Sequence, residues 1–327
     1  MLKLFNRNTL VQVLVIIAAT LLLWGRSLIH PPAMADGSAV LYHLLYLGLS
    51  SLPRLAVILA LILILLEGLW LNLLLANIGL VSQNSLLPTL LYLIIISAPA
   101  TTLSPVIFVC GISIAVTHQL MLRTTLLTIS TDKICSATAL ISLASMFYFP
   151  ALALLISYLL IVVNYRLYSW RDWAALILGL AAPYIFLLTI LYLSGNLAPW
   201  WSGSYYTPVT PTPLSGTAKI LSIGSNIFLL LLFLVSLISL WSHLSEHPVV
   251  WQKNTTTLLL LTLGSIAIIA IDSRFPVDMR LFALPFTLCS FHLFMPEKAF
   301  HSFNRRNRRT WLLDILLILT LIAAILC

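Results

Sequence analysis

Two acids and two arginines fall within nine residues: Asp272, Arg274, Asp278 and Arg280. Arginines at a surface suit recognition of phosphate or carboxylate, because the planar guanidinium donates paired hydrogen bonds. The same four residues also read as a salt-bridged loop between two apolar runs. Asp36 is the one acid in the stretch 26–53, and Gly37 follows it. A carboxylate there can act as general base or hold a metal. An Asp before Gly is equally a turn or a helix cap. Glu67 is the one acid deep within an apolar run, and Asn72 and Asn77 follow it. It comes 13 residues after Arg54, or about 20 Å along a helix. An ionisable group at such depth must face a polar cavity, find a partner or stay protonated. It can serve ion or proton movement, or hydrogen-bond a neighbouring helix.

The aromatic pairs Trp200-Trp201 and Tyr205-Tyr206 lie in an uncharged stretch with Pro199, Pro208, Pro211 and Pro213. They can stack on sugar rings or grip a lipid tail, or form an interfacial belt. His118 stands alone near the end of an apolar run and reads as a satisfied structural group. His243, Glu246 and His247 give H-x-x-E-H, superficially an inverted zinc-protease pattern. Pro248 follows at once and no third ligand is apparent, so no metal site is expected. The cysteines Cys110, Cys135, Cys289 and Cys327 are scattered without C-x-x-C spacing and read as small hydrophobes. There is no Walker loop, G-x-G-x-x-G, G-x-S-x-G or H-E-x-x-H, which argues against ATP-driven transport by this chain alone and leaves any cofactor unknown.

The elements that carry these residues are set by an extreme composition. The 327 residues are 61% hydrophobic and 8% charged, with mean hydropathy +1.07. A soluble domain carries about 25% charge. A water-soluble fold of this size cannot hide so much apolar surface. One integral membrane domain over 1–327 is therefore expected: an all-α, polytopic helical bundle. A spanning helix needs about 20 apolar residues. Candidate spans are 9–25, 54–75, 86–98, 104–122, 134–148, 150–163, 173–194, 219–241, 254–271, 279–295 and 311–327. The first resembles a signal peptide, but no small-x-small cleavage site follows cleanly, and it is read as retained. The spans 86–98, 104–122, 134–148 and 150–163 are short. Prolines at Pro99, Pro105 and Pro150 break them, because proline removes a backbone donor and clashes with the preceding turn. Each break is a re-entrant hairpin or a kink in one longer span, so the count is nine to eleven.

Charge placement predicts a cytoplasmic N-terminus. Threading eleven spans puts Lys3, Arg7, Arg123, Lys133, Arg166, Arg171, Lys253, Lys298, Arg305, Arg306, Arg308 and Arg309 on the cytoplasmic side, 12 of the 17 basic residues. Arg26, Arg54, Lys219, Arg274 and Arg280 remain outside, and this bias sets orientation. The net charge of +8 is thus a matter of topology, not of nucleic acid. The cluster Arg305 to Arg309 is also suited to anionic headgroups. The segments 26–53, 195–218 and 272–280 all face outward. In the first, residues 39–46 permit a short interfacial helix.

Two resemblances follow. Glu67-Gly68-Leu69-Trp70-Leu71-Asn72 running to Ser85-Leu86-Leu87-Pro88, Tyr165 to Trp173 with Gly179 and Pro183-Tyr184, and Arg280-Leu281-Phe282-Ala283-Leu284-Pro285 resemble an uncharacterised family of polytopic inner-membrane proteins of Gram-negative bacteria. That likeness implies a bacterial inner-membrane location and this topology. In layout the chain is also similar to membrane glycosyltransferases of the lipid-phosphate-sugar type and to polysaccharide polymerases. Those place an interfacial helix after span one and then several kinked spans. The resemblance implies a polyprenyl-linked glycan handled at the outer face. Asp36 would then be base or metal ligand, and Arg274 and Arg280 would hold phosphate. The first type carries an acidic pair where this chain has Asp36 alone. Two rivals stand beside this: a non-enzymatic subunit or assembly factor that contacts other membrane subunits, and a secondary transporter coupled through Glu67. Membrane lipids are expected partners in every case.

Overall fold

A computed structural model describes residues 9–32, 34, 39–78, 85–97, 102–121, 130–165, 169–198, 216–243, 249–272 and 279–294. Among these the chain is all α, with eleven α-helices and no strand. In order they are α1 (Thr9–Ile29), α2 (Val40–Leu49), α3 (Pro53–Asn77), α4 (Leu87–Ile96), α5 (Pro105–Met121), α6 (Thr131–Phe147), α7 (Leu154–Asn164), α8 (Trp170–Leu193), α9 (Gly216–His243), α10 (Val249–Asp272) and α11 (Ala283–Phe294). Single 3₁₀ turns, Phe149–Ala153 and Met279–Phe282, lead into α7 and α11. Leu10–Ile29, Pro53–Asn77 and Trp170–Leu193 are long and apolar enough to cross a membrane, and shorter apolar helices accompany them. The chain is a helical membrane protein. Of the sequence-derived spans, only 311–327 lies wholly outside the described residues.

The local signals act where physical chemistry puts them. Pro53 opens α3 in the first turn, where its missing N–H breaks no helical bond. Ser169 caps α8, its hydroxyl accepting from the Asp172 amide. The same helix ends at Gly195, φ +70°, with Gly195 N–H donating to Tyr192 and Asn196 N–H to Leu191. These are the paired bonds of a Schellman cap, and the left-handed residue there calls for glycine.

Both proline-marked breaks are hairpins. At the second, Tyr148 leaves the helix in extended conformation and Pro150 starts the next turn. Tyr158 then reaches back to Ile134, its hydroxyl donating to that carbonyl at 3.5 Å, so α7 runs antiparallel to α6. At the first, Tyr92 of α4 and Gly111 of α5 both meet Glu67 of α3, on opposite sides of the break. α4 runs parallel to α1: the Leu86 amide donates to Gln12 Oε1 at 2.7 Å, and Trp24 Nε1 donates to Ser97 Oγ at 2.8 Å.

These pairings sort the helix ends into two groups. One holds Gln12, Leu86, Thr131, Asp172, Tyr165 and Thr257. The other holds Trp24, Ser97, Tyr42 and Leu103, together with the cluster Val40, Met146, Leu187 and Leu191. α2 lies in that second group. Its Val40 and Tyr42 are buried while Leu44 and Leu47 are exposed, as an interfacial helix requires.

Every residue of α4 is buried, between α1, α3, α11 and the 279–282 turn. A helix apolar all round belongs inside a bundle. Its ten residues rise only about 15 Å. The helices meet closely at small residues. Gly179 of α8 lies against Thr138 and the Cys135 carbonyl of α6, and Gly264 of α10 lies against Ser157 of α7. Close backbone approach is how membrane helices gain packing without a hydrophobic drive between them.

Candidate functional site

α3 places two polar side chains in the bundle interior. Glu67 is buried, and the Tyr92 hydroxyl of α4 donates to its Oε2 at 2.7 Å. One residue on, the Gly68 carbonyl accepts from Thr89 Oγ1 at 3.1 Å, which fixes the height of α4 against α3. The other carboxylate oxygen faces Gly111 of α5 and occupies the space a Cβ would need there. Among the described residues no basic side chain pairs with Glu67. Asn72 is also buried, and its Oδ1 has no hydrogen-bond partner among the described residues. Three residues beyond Glu67, Trp70 meets His118 of α5 edge-on, with ring centroids 5.7 Å apart.

Of the arginine-rich group, Arg280 is described. It is buried in the turn that enters α11. Its carbonyl accepts from Cys110 Sγ at 3.2 Å, and the next carbonyl, of Leu281, accepts from Ser265 Oγ at 2.8 Å. This turn is thereby pinned to α5 and α10. The gap beneath it, bordered by Cys110, Ser113, Ser265 and Pro285, is about 10 Å³. That is about the space of one water and none for a lipid chain. Asp272 is the last residue of α10, with its side chain outside the described set. Arg274, Asp278, Asp36, Trp200, Trp201, Tyr205, Tyr206 and His247 lie outside the described residues. Among the described residues, no group of three or more His, Cys, Asp or Glu could hold a metal.

A feature the sequence reading treated only as topology lies at the N-terminus of α3. An open groove of about 420 Å³ runs between Pro31 on one side and Ser51 to Leu55 with Ile58 on the other. Its walls are apolar apart from Ser51 and the exposed Arg54. The N–H groups of Leu55 and Ala56 are bonded to Leu52, so the guanidinium is the strong donor offered at this mouth.

A second missed residue is Asp172, buried at the start of α8. Its Oδ2 accepts from Ser169 Oγ at 2.6 Å and its Oδ1 from Thr131 Oγ1 of α6 at 3.0 Å. The spacing Ser169-x-x-Asp172 before an apolar run is a helix-start signal visible in the sequence. Asp172 therefore holds the Ser169 cap in place and ties α8 to α6. Asp172→Ala should cost about 1–2 kcal/mol of stability, measured by thermal melting in detergent, while Asp172→Asn, which keeps an acceptor, should cost less. No family model, no curated protein and no solved structure matches this chain.

Proposed function

We propose that the chain threads a bacterial inner membrane with its N-terminus in the cytoplasm and handles a polyprenyl-phosphate-linked glycan at the outer end of the bundle, as transferase or polymerase. The reversals between successive helices support a multi-pass path of nine to eleven crossings, the range left by short helices such as α4 and α7. The charge bias of the sequence supports the orientation. The end that carries α2, Arg54 and the 279–282 turn then faces outward.

The observation that carries the functional reading is the groove at Arg54. Leu52, Leu55 and Ile58 offer an apolar wall, and Arg54 stands at its mouth. That is the arrangement a lipid phosphate needs: a wall for the chain and a guanidinium for the head. The short helix after the first long one also matches the layout of the lipid-phosphate-sugar enzymes. Asp36 and Arg274 keep their proposed roles as base or metal ligand and phosphate ligand, the buried Arg280 does not reach such a lipid, and the aromatic stretch at 200–206 covers the acceptor.

The test is lipid co-purification. Wild-type protein extracted in mild detergent should carry a phosphate-bearing lipid. Arg54→Ala should lower its affinity about tenfold, the loss of one charge-assisted hydrogen bond. Equal lipid content in both proteins ends the reading.

A second reading, a non-enzymatic subunit of an envelope complex, is favoured by the close-packed interior beneath Arg280. It predicts a stoichiometric protein partner in the same preparation and no dependence on Arg54.

A further inference from the structure

The seam between α3 and α5 carries a feature that the outer groove does not use. Glu67 lies near the middle of α3, 7% exposed, with one hydrogen bond, from Tyr92. Its second oxygen is turned to the half-buried Gly111, which has no side chain to stand between the carboxyl and the α5 backbone. Gly111 and His118 are seven residues apart, two turns of α5, and share a face. Glu67 and Trp70 are three apart on α3, and Trp70 contacts His118. The seam thus presents an acid at mid-depth and, about 10 Å further along, an imidazole at the end of the bundle that holds Thr131 and Asp172. His118 is itself only partly buried.

We infer that Glu67 is a reversible proton-binding site reached along this seam, with His118 at its mouth. The titratable groups around it are Tyr92 on α4, Cys110 of α5 beside that hydroxyl, and then His118 with Lys133 of α6 near it. None of them is an ion-pair partner of the carboxyl. The Tyr92 hydroxyl can donate to a carboxylate and equally to the carbonyl oxygen of the neutral acid. One hydrogen bond therefore holds the side chain in both charge states. When the site empties, one proton leaves the carboxyl and the charge of Glu67 goes from zero to minus one. When it fills, His118 accepts a proton from water on one ring nitrogen, the proton on its other nitrogen passes along the seam to the carboxylate, and the charge of Glu67 returns to zero.

The test uses the full-length protein in lipid vesicles and infrared absorption of protonated carboxyl groups. The readout involves no lipid ligand and no glycan, so its failure leaves the outer groove untouched. Wild type should show a carboxyl band that disappears reversibly as pH rises while the helices stay folded. Glu67→Gln keeps an acceptor for Tyr92 and should remove that band with the fold intact. His118→Phe keeps a ring against Trp70 and should slow the band's response to a pH jump several-fold. A band that stays constant across the folded pH range, or that survives Glu67→Gln, overturns the site. An unchanged rate in His118→Phe overturns the route through the imidazole.

Discussion

Gly179→Leu is expected to destabilise the fold by about 3 kcal/mol. A Cβ at Gly179 would overlap both the Thr138 hydroxyl and the Cys135 carbonyl. The first can turn away, but the second is backbone and belongs to α6. The contact can be relieved only by moving α8 off α6, and Asp172 pins these two helices together at one end. They are joined further along as well, by Ser145 Oγ and the Tyr184 hydroxyl at 2.6 Å. Overpacking a well-filled contact costs about 1–3 kcal/mol, and a collision with backbone belongs at the top of that range. Melting in detergent should show a loss of about 3 kcal/mol. Gly25→Ala is the control, because no atom lies within 4 Å of a Cβ there. It should be neutral or slightly stabilising, since alanine is the better helix former. Equal melting of the two variants would mean that α6 and α8 do not pack as described.

Glu67→Leu is the second large effect. It removes the acceptor of the Tyr92 hydroxyl and leaves that donor buried among α3, α4 and α5. A buried donor stripped of its partner costs about 1–3 kcal/mol. Leucine also carries a branched end toward Gly111, where the flat carboxylate now fits. Glu67→Gln should melt close to wild type, because its amide oxygen can take the same hydrogen bond. The double variant Glu67→Leu/Tyr92→Phe should recover part of the loss, since both polar groups are then gone. If the double variant is as unstable as the sum of the singles, the two side chains are not coupled.

The sequence made some of this legible and hid the rest, for physical reasons. Proline marks its own positions, so the breaks at 97–105 and 148–150 could be found. Whether each was a kink or a hairpin depended on contacts such as Tyr158 with Ile134, which no local pattern encodes. Glu67 stood out because an acid is rare in an apolar run. Its partners did not, since Tyr92 and Gly111 are ordinary residues until three helices bring them together. The local signal at Ser169-x-x-Asp172 was readable, but its tie to Thr131 was not. Arg54 counted only as a charge at a helix end. The groove beside it is lined by Pro31, Ser51 to Leu55 and Ile58, residues from two separate stretches whose meeting leaves no trace in composition. Of the arginine-rich group, Arg280 is now placed within the fold, in a turn held by Cys110 and Ser265.

The central claim is that successive helices alternate and set the Arg54 groove on the outer face. It is tested most directly by cysteine labelling in intact cells. The four native cysteines are replaced by alanine, and single cysteines are introduced at exposed serines. Ser51→Cys and Ser194→Cys should react with a membrane-impermeant maleimide without permeabilisation. Ser130→Cys and Ser242→Cys should react only after it. Labelling of Ser51→Cys and Ser130→Cys from the same side would contradict the account.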